Sequence, residues 1–338
     1  MRAVTSEGFS VAEVACALGQ PVATVEVLAT FASATATVAR LRVRFADGSQ
    51  RVAIGKRATG AEAAAARRER RFFERLAPCW DHPAPKLLGV SDDAVSVLLL
   101  TEDLEAQGYR AVGTAVSEPE FHGAIDALVG LHARFWDALP LEVLEAGGSP
   151  EPSVTQAVQA WPPTVIAANA IAVREASERF AVGLEAGERA LLADVLAAWA
   201  PRFVERTAAG RGMTLIHADF HCFGNVLFVP GAPRPRVIDW SEIKPGLGPH
   251  DLAYCLMGLP CVDRARRDDA LMRRYWEGLC AAGIRDYSWP LCQWDHRFSV
   301  LTNLFQAVFQ GSEVWFRKTA AAVDALDACA ALAEPPPL

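Results

Sequence analysis

The stretch Thr214 to Asp251, TLIHADFHCFGNVLFVPGAPRPRVIDWSEIKPGLGPHD, decides how the rest of the chain is read. Two short apolar runs, Asn225 to Val229 and Arg236 to Trp240, flank Pro230-Gly231-Ala232-Pro233-Arg234-Pro235. A segment so dense in turn residues between two such runs predicts a β-hairpin. Asn225 opens the first run and Asp239 lies near the end of the second, each seven residues from Ala232. Antiparallel pairing would set them opposite each other, about 4.5–5.5 Å apart at Cα. An amide oxygen and a carboxylate held that closely can share a hard cation such as Mg2+. Just upstream, Leu215-Ile216 leads into the polar His217-Ala218-Asp219, which places a loop carboxylate six residues before Asn225. Phosphoryl transfer asks for little more than this: metal and lysine to balance charge on a nucleotide, and a carboxylate to orient the nucleophile and take its proton.

Upstream of the hairpin, residues Ser10 to Leu18 read as a short helix capped by Ser10 and stopped by Gly19. Val22 to Leu28 is strand-like, and Val38 to Phe45 alternates, with Leu41, Val43 and Phe45 on one face and Arg40, Arg42 and Arg44 on the other. Asp47-Gly48 turns the chain back, and the returning strand places Val52, Ile54 and Lys56 on one face; if the first two point inward, so does the lysine. Ala61 to Leu76 is helical, with Glu69 at the edge of a face formed by Phe72, Phe73 and Leu76. Val95 to Leu100 reads as a buried strand. Beyond about residue 105 the pattern turns helical: Glu118 to Trp136, Val154 to Ala170, Gly187 to Ala208, His250 to Met257, Arg264 to Ala282, Trp294 to Gln310 and Ser312 to Leu332.

The motifs H-x-D (His217, Asp219), N-V-L-F from Asn225, V-I-D-W ending on Asp239 and Trp240, and D-L-A-Y from Asp251 resemble those of the aminoglycoside-phosphotransferase and ecdysteroid-kinase-like enzymes, distant relatives of protein kinases. Lys56, Glu69 within RRERRFFERL, and the hinge LLTEDL from Leu99 to Leu104 are similar to further family elements. The resemblance implies a bilobal α+β protein-kinase-like fold, with a small antiparallel-sheet lobe over residues 1–105 and a mostly helical lobe over 106–338. It implies ATP and Mg2+ as cofactors and a small hydroxylated molecule as acceptor. By the same resemblance Asp219 would be the catalytic base with His217 supporting its loop, and Asn225 and Asp239 the metal ligands. Lys56 would bind phosphate with Glu69 as its helix partner, Glu102 and Leu104 would lie in the adenine-binding hinge, and Asp251 would brace the catalytic loop. Two departures stand out. Asn225 lies six residues after Asp219, where the family has five, so the loop Phe220 to Gly224 must bulge or the metal geometry must differ. The nucleotide-covering loop Ala29 to Thr37 has no glycine. These departures motivate an alternative, a catalytically weak nucleotide-binding pseudokinase or regulatory protein. A protein kinase is a third reading, disfavoured because no A-P-E segment follows Asp239.

Blander readings attach to the same residues. Lys56 could be an edge-strand surface lysine, Glu69 one of several paired helix charges, and His132 a hydrogen-bonded core residue. His221 is a functional candidate near phosphates or acceptor. Helix packing accounts for most of Tyr275, Trp276, Tyr287, Trp289, Trp294 and Trp315, with one or two rings left to line an acceptor site. The bulk properties narrow the class further. A chain of 338 residues favours two lobes, and its net charge of −7 argues against general nucleic-acid binding. Eight cysteines without a C-x-x-C pair read as reduced thiols, and no run of eighteen apolar residues occurs, which gives the expectation of a cytoplasmic protein away from membrane. The sequence selects neither the acceptor nor an oligomeric state.

Overall fold

The computed structural model describes residues 8–33, 35–113, 115–140, 173–231, 234–257 and 263–338. The expected helix from Val154 to Ala170 lies outside them. Helix α1 (Val11–Leu18) is capped by the Ser10 hydroxyl, which accepts from the Glu13 N–H at 3.1 Å, and ends on Gly19 in the left-handed region. Five antiparallel strands follow, β1 (Val22–Phe31), β2 (Thr37–Phe45), β3 (Gln50–Thr59), β4 (Leu87–Asp92) and β5 (Ser96–Thr101), ordered β1-β2-β3-β5-β4. Ala39, Leu41, Val43, Leu98 and Leu100 cover one face together with Phe9, Val14 and Ala17. At one end of the opposite face, Ala58, Val97 and Leu99 pack on Ala63 and Ala66 of α2 (Ala63–Arg71).

Lys56 pairs with Val38 on one side and Leu99 on the other, so it belongs to the face that carries α2. It does share its face with Val52 and Ile54, but that face is buried only where α2 covers it: Val52 is exposed, Ile54 and Lys56 are half-buried and Ala58 is buried, whereas Ala53 and Gly55 are buried on the opposite face. Strand parity was sufficient to group the three residues; which face became core was set by α1 and Phe9, which the strand itself does not encode. Strand β1 also runs through Phe31, so the segment before β2 covers only positions 32–36, shorter than the expected loop from Ala29.

The remaining chain is mainly helical. Helix α2 passes into a wider turn over Phe72–Leu76, which buries Phe72, Phe73 and Leu76. Helix α3 (Glu118–Phe135) starts in a reciprocal capping box between Ser117 and Glu120, and positions 173–180 are helical. Then come α4 (Ala186–Thr207, with Pro201 inside), α5 (Pro249–Met257), α6 (Arg264–Ala281), α7 (Trp289–Phe309), α8 (Glu313–Ala325) and α9 (Ala330–Ala333). Two expected boundaries move. Helix α7 begins at Trp289 rather than Trp294 because the Ser288 hydroxyl caps it and Pro290 fits the first turn. The helix expected from Ser312 to Leu332 is two helices, interrupted where Asp327 adopts φ 49°.

The hairpin forms, but with a different register. Strands β6 (Thr214–Ile216) and β9 (Lys244–Gly246) pair with each other and bracket it, while β7 (Val226–Leu227) pairs with β8 (Arg236–Val237). The Ile238 N–H donates to the Asn225 carbonyl at 2.9 Å, so Asn225 faces Ile238 and Asp239 lies one residue beyond. The ladder is short for a covalent reason. Continued outward, it would oppose Phe228 with Pro235, which has no N–H to give. Phe228 instead exchanges two hydrogen bonds of 2.9 Å with Arg110.

Candidate active site

Side chains of residues one step apart in a strand leave on opposite faces, so a continued ladder would separate Asn225 from Asp239. Asp239 escapes this by leaving the strand at φ 61°, ψ 67°. Aspartate is among the few non-glycine residues that tolerate this region. Its carboxylate then meets Lys56 Nζ at 2.5 Å and accepts from the Ser241 hydroxyl at 2.7 Å. Lys56 Nζ lies 2.8 Å from Glu69 Oε2, and Glu69 Oε1 accepts from the Trp240 N–H at 3.1 Å. Strand β3, helix α2 and the turn after β8 are thus tied together through one ammonium group. Phe72 stacks on Trp240 with ring centroids 4.0 Å apart, which fixes the same junction through packing.

The loop bearing Asp219 is held from behind. Asp251, fully buried at the start of α5, accepts from the His217 and Ala218 N–H groups, each at 2.7 Å. His132 Nε2 lies 3.2 Å from the same carboxylate, and its Nδ1 is 2.8 Å from the Tyr275 hydroxyl. Gly248 lets these groups meet: a Cβ there would come within 2.1 Å of the Tyr275 oxygen. Ala218 carries φ 68° in the loop that Asp251 grips. His217 is buried, with Nε2 at 3.1 Å from the Ile238 carbonyl and Nδ1 accepting from the Asp219 N–H at 3.3 Å. Burial holds its imidazole in the neutral form, so it acts as a strut rather than a charge.

The additional residue of the loop is taken up in a turn: the His221 carbonyl accepts from both the Asn225 and Val226 N–H groups, at 3.1 and 3.0 Å. Asn225 therefore still reaches Asp219, donating through Nδ2 to its carbonyl at 2.9 Å and its Oδ2 at 2.7 Å. Two acceptors on Nδ2 settle the amide's orientation and turn Oδ1 away from Asp219.

The electrostatics separate the two carboxylates. For Asp239 burial acts to raise the pKa, but Lys56, Ser241 and His217 outweigh it and hold the group down at about 2. Asp219 is pushed up to about 7, first by burial and then by the charge of Asp239, against hydrogen bonds from Tyr254 and Asn225. Its side chain still has 27% of its surface exposed, so it lies in a cleft and is not sealed in. Burial lowers Lys56, yet Glu69 and Asp239 together raise it above the ordinary lysine value, so it is a firm cation.

Glu102 uses its carboxylate structurally, accepting from the Lys86 N–H at 2.8 Å and from Arg236 at 2.5 Å, and its own N–H goes to the Lys86 carbonyl. The N–H of Leu104 makes no hydrogen bond among the described residues. His221 Nε2 lies 3.7 Å from Asp219 Oδ1, and Glu242 lies 3.9 Å from Arg68. Of the six aromatic residues singled out in the helical region, Trp315 alone comes near the base, 6.1 Å from the Tyr254 ring.

Sequence reasoning missed Ser241 and Tyr254. The latter, three residues after Asp251 in D-L-A-Y, sits on the same helical face and could have been found from that spacing. It also missed Lys244, a buried ammonium with no hydrogen-bond partner among the described residues. No group of three or more His, Cys, Asp or Glu side chains among the described residues could chelate a metal alone. A cavity of about 260 Å³ between α6 and α7, lined by Asp268, His296 and Arg297, contains none of these residues. No described helix is long and apolar enough to cross a membrane.

The fold has counterparts in solved structures. A choline/ethanolamine kinase family protein from Mesorhizobium loti superposes with TM-score 0.53 at 15% identity, covering 90% of this chain and 92% of that one. An ethanolamine kinase from Plasmodium vivax superposes with TM-score 0.51 at 13% identity, covering 90% and 82%. The gentamicin complex of the phosphotransferase APH(2")-IIa gives TM-score 0.50 at 12% identity over 90% and 91%. At such identities the likeness establishes the fold, that of the protein-kinase-like enzymes. None of the curated proteins matches the chain. The family model described as the phosphotransferase enzyme family matches residues 34–289, a span that runs from the turn before β2 into the start of α7 and includes Lys56, Glu69, Asp219, Asn225, Asp239 and Asp251, and the chain belongs to that family.

Proposed function

We propose that this protein transfers the γ-phosphoryl group of ATP to a hydroxyl of a small organic molecule, with residues 1–105 gripping the nucleotide and 106–338 the acceptor. The observation that carries the reading is the divergence of two neighbouring carboxylates, one held ionised against Lys56 and the other raised toward neutrality beside Asn225. Paired carboxylates pushed apart in pKa are the signature of divided labour in a catalytic site.

Asp219, as the base, accepts the hydroxyl proton while the alcohol oxygen forms its bond to the γ-phosphorus and the bond to the ADP oxygen breaks. Asn225 fixes the carboxylate that receives the proton. Lys56, held by Glu69, pairs with phosphate oxygens when nucleotide enters, and the Leu104 N–H is available to adenine. The residues also fit Mg2+: a carboxylate kept ionised and an amide oxygen turned outward are the oxygen donors such an ion uses when nucleotide phosphates and water supply the rest. Bound there, the ion would offset charge on the phosphates.

Acceptor-dependent ADP formation with Mg-ATP and a panel of alcohols tests the reading. Wild-type protein should yield phosphorylated alcohol, and Asp219→Asn should lose about 10²–10⁴-fold in rate. Nucleotide binding without transfer to any acceptor would favour the pseudokinase alternative; transfer to proteins alone would favour a protein kinase.

A further inference from the structure

Four aromatic rings close a circuit beside the base. His221 and Phe223 come from the turn after Asp219, Tyr254 from α5 and Trp315 from α8. Ring centroids are 6.0 Å apart for His221 and Phe223, 6.2 Å for Phe223 and Trp315, 6.1 Å for Trp315 and Tyr254, and 6.0 Å for Tyr254 and His221. Tyr254 joins this circuit to the chemistry, since it lies close enough to Asp219 for the two to act on each other's charge, while Gln310 Nε2 stands 3.5 Å from its hydroxyl. His221, Phe223 and Trp315 each keep part of their surface open to solvent, whereas Tyr254 is buried.

The charge around the circuit is unsuited to a polycation. Lys318 Nζ lies 5.8 Å from the centre of the Trp315 ring and already takes its cation–π attraction. The acids on neighbouring elements are engaged, Glu313 with Arg317 at 3.1 Å and Glu242 with Arg68 at 3.9 Å. Asp219 is the carboxylate beside the circuit, and as the base it must take the hydroxyl proton, so a polyamine entering here would lose hydration against ring faces already flanked by Lys318. A flat apolar body would instead bury against ring faces and edges.

We propose that the circuit of His221, Phe223, Tyr254 and Trp315 is the acceptor subsite, and that it selects a neutral alcohol carrying an aromatic or flat apolar body over polycationic acceptors. This rests on the phosphotransferase reading. Phe223 exists in this position through the lengthened turn that still returns Asn225 to Asp219, so the turn serves specificity without displacing the base.

The test uses the full chain with Mg-ATP and four probes: 2-naphthaleneethanol and 4-nitrobenzyl alcohol against kanamycin and choline. The aromatic alcohols should be phosphorylated with kcat/KM about 100-fold above the two cations, a difference of the size that a few well-placed contacts supply. Phe223→Ala should raise their KM about tenfold with little change in kcat, and Phe223→Tyr should restore it. Trp315→Phe, a milder change inside a helix, should move KM in the same direction. Preference for kanamycin or choline, or a KM indifferent to Phe223→Ala, overturns the subsite while leaving phosphotransfer intact. Calorimetric titration of 2-naphthaleneethanol into the Asp219→Asn protein keeps the two claims separate. If no alcohol is phosphorylated, binding that Phe223→Ala weakens about tenfold still supports the subsite, and absent or unaffected binding overturns it.

Discussion

Lys244 shows how much of this site is electrostatic tension at single residues. It is 4% exposed on β9, directly across from Ile216 at the root of the catalytic loop, and lacks a hydrogen-bond partner among the described residues. Burial lowers its pKa to about 8, with attraction to Glu242 and repulsion from Arg68 as lesser influences. Between about pH 8 and 10.5 the unfolded chain therefore holds a proton that the native lysine has released, so the contribution of Lys244 to stability rises with pH across that window. At pH 7 both states are protonated and the buried ammonium is a cost. Lys244→Met should add roughly 3 kcal/mol at pH 7 and abolish the alkaline rise, as read from urea denaturation at successive pH values. A stability difference between wild type and Lys244→Met that stays constant from pH 8 to 10 would contradict this. Glu69 behaves oppositely, because its removal takes away one of the two carboxylates that hold the buried Lys56 and leaves the Trp240 N–H without its acceptor. Glu69→Ala should cost about 3–5 kcal/mol in the same measurement, and Glu69→Gln substantially less.

Among the elements, the turn after α2 and the turn after β8 are joined by packing, with Phe72 and Trp240 both buried and stacked. Phe72→Ala should destabilise by about 3–5 kcal/mol and lower turnover at temperatures where the protein remains folded, since Asp239 precedes Trp240 directly. Gly248→Ala should be comparably harmful, because the new methyl would collide with the Tyr275 hydroxyl and disturb the His132 and Asp251 brace; a lowered Tm with slower turnover is the expected result. How far the elements were legible follows from the same particulars. Ser10 and Gly19 mark the ends of α1 by chemistry that acts within a few residues, and the alternation in β2 shows its buried face directly. The pairing of Asn225 with Ile238 was not legible, because a loop rich in proline can centre its turn on a residue or between two, which shifts the register by one. The role of α2 in choosing which face of β3 meets the cleft was hidden too, as were Ser241 and Lys244, whose partners lie far away in sequence or are lacking. The H-x-D motif and the later asparagine and aspartate were visible; the left-handed turn that brings Asp239 to Lys56 was not.

At the scale of the whole molecule, the sheet and the helical region meet through ion pairs and hydrogen bonds at the cleft: Lys56 with Asp239, Arg68 with the Ser241 carbonyl, and Arg236 with Glu102. Deeper in the helical region, Arg206 makes a two-pronged pair with Asp295 at 2.7 and 2.9 Å, and the Tyr287 hydroxyl completes that carboxylate at 2.9 Å. This separates rigidity of the helical scaffold from adjustability at the cleft, where Lys56 must exchange partners when phosphate arrives. We propose that Asn225, beside Asp219, and Asp239, turned onto Lys56 by its left-handed backbone, together supply the oxygens that take up a nucleotide-borne cation. Mn2+ affinity measured by electron paramagnetic resonance in the presence of ADP tests it most directly. The account predicts one Mn2+ per chain, bound about tenfold or more weakly by Asn225→Leu and by Asp239→Asn. Equal Mn2+ affinity in wild-type and Asp239→Asn protein would contradict it.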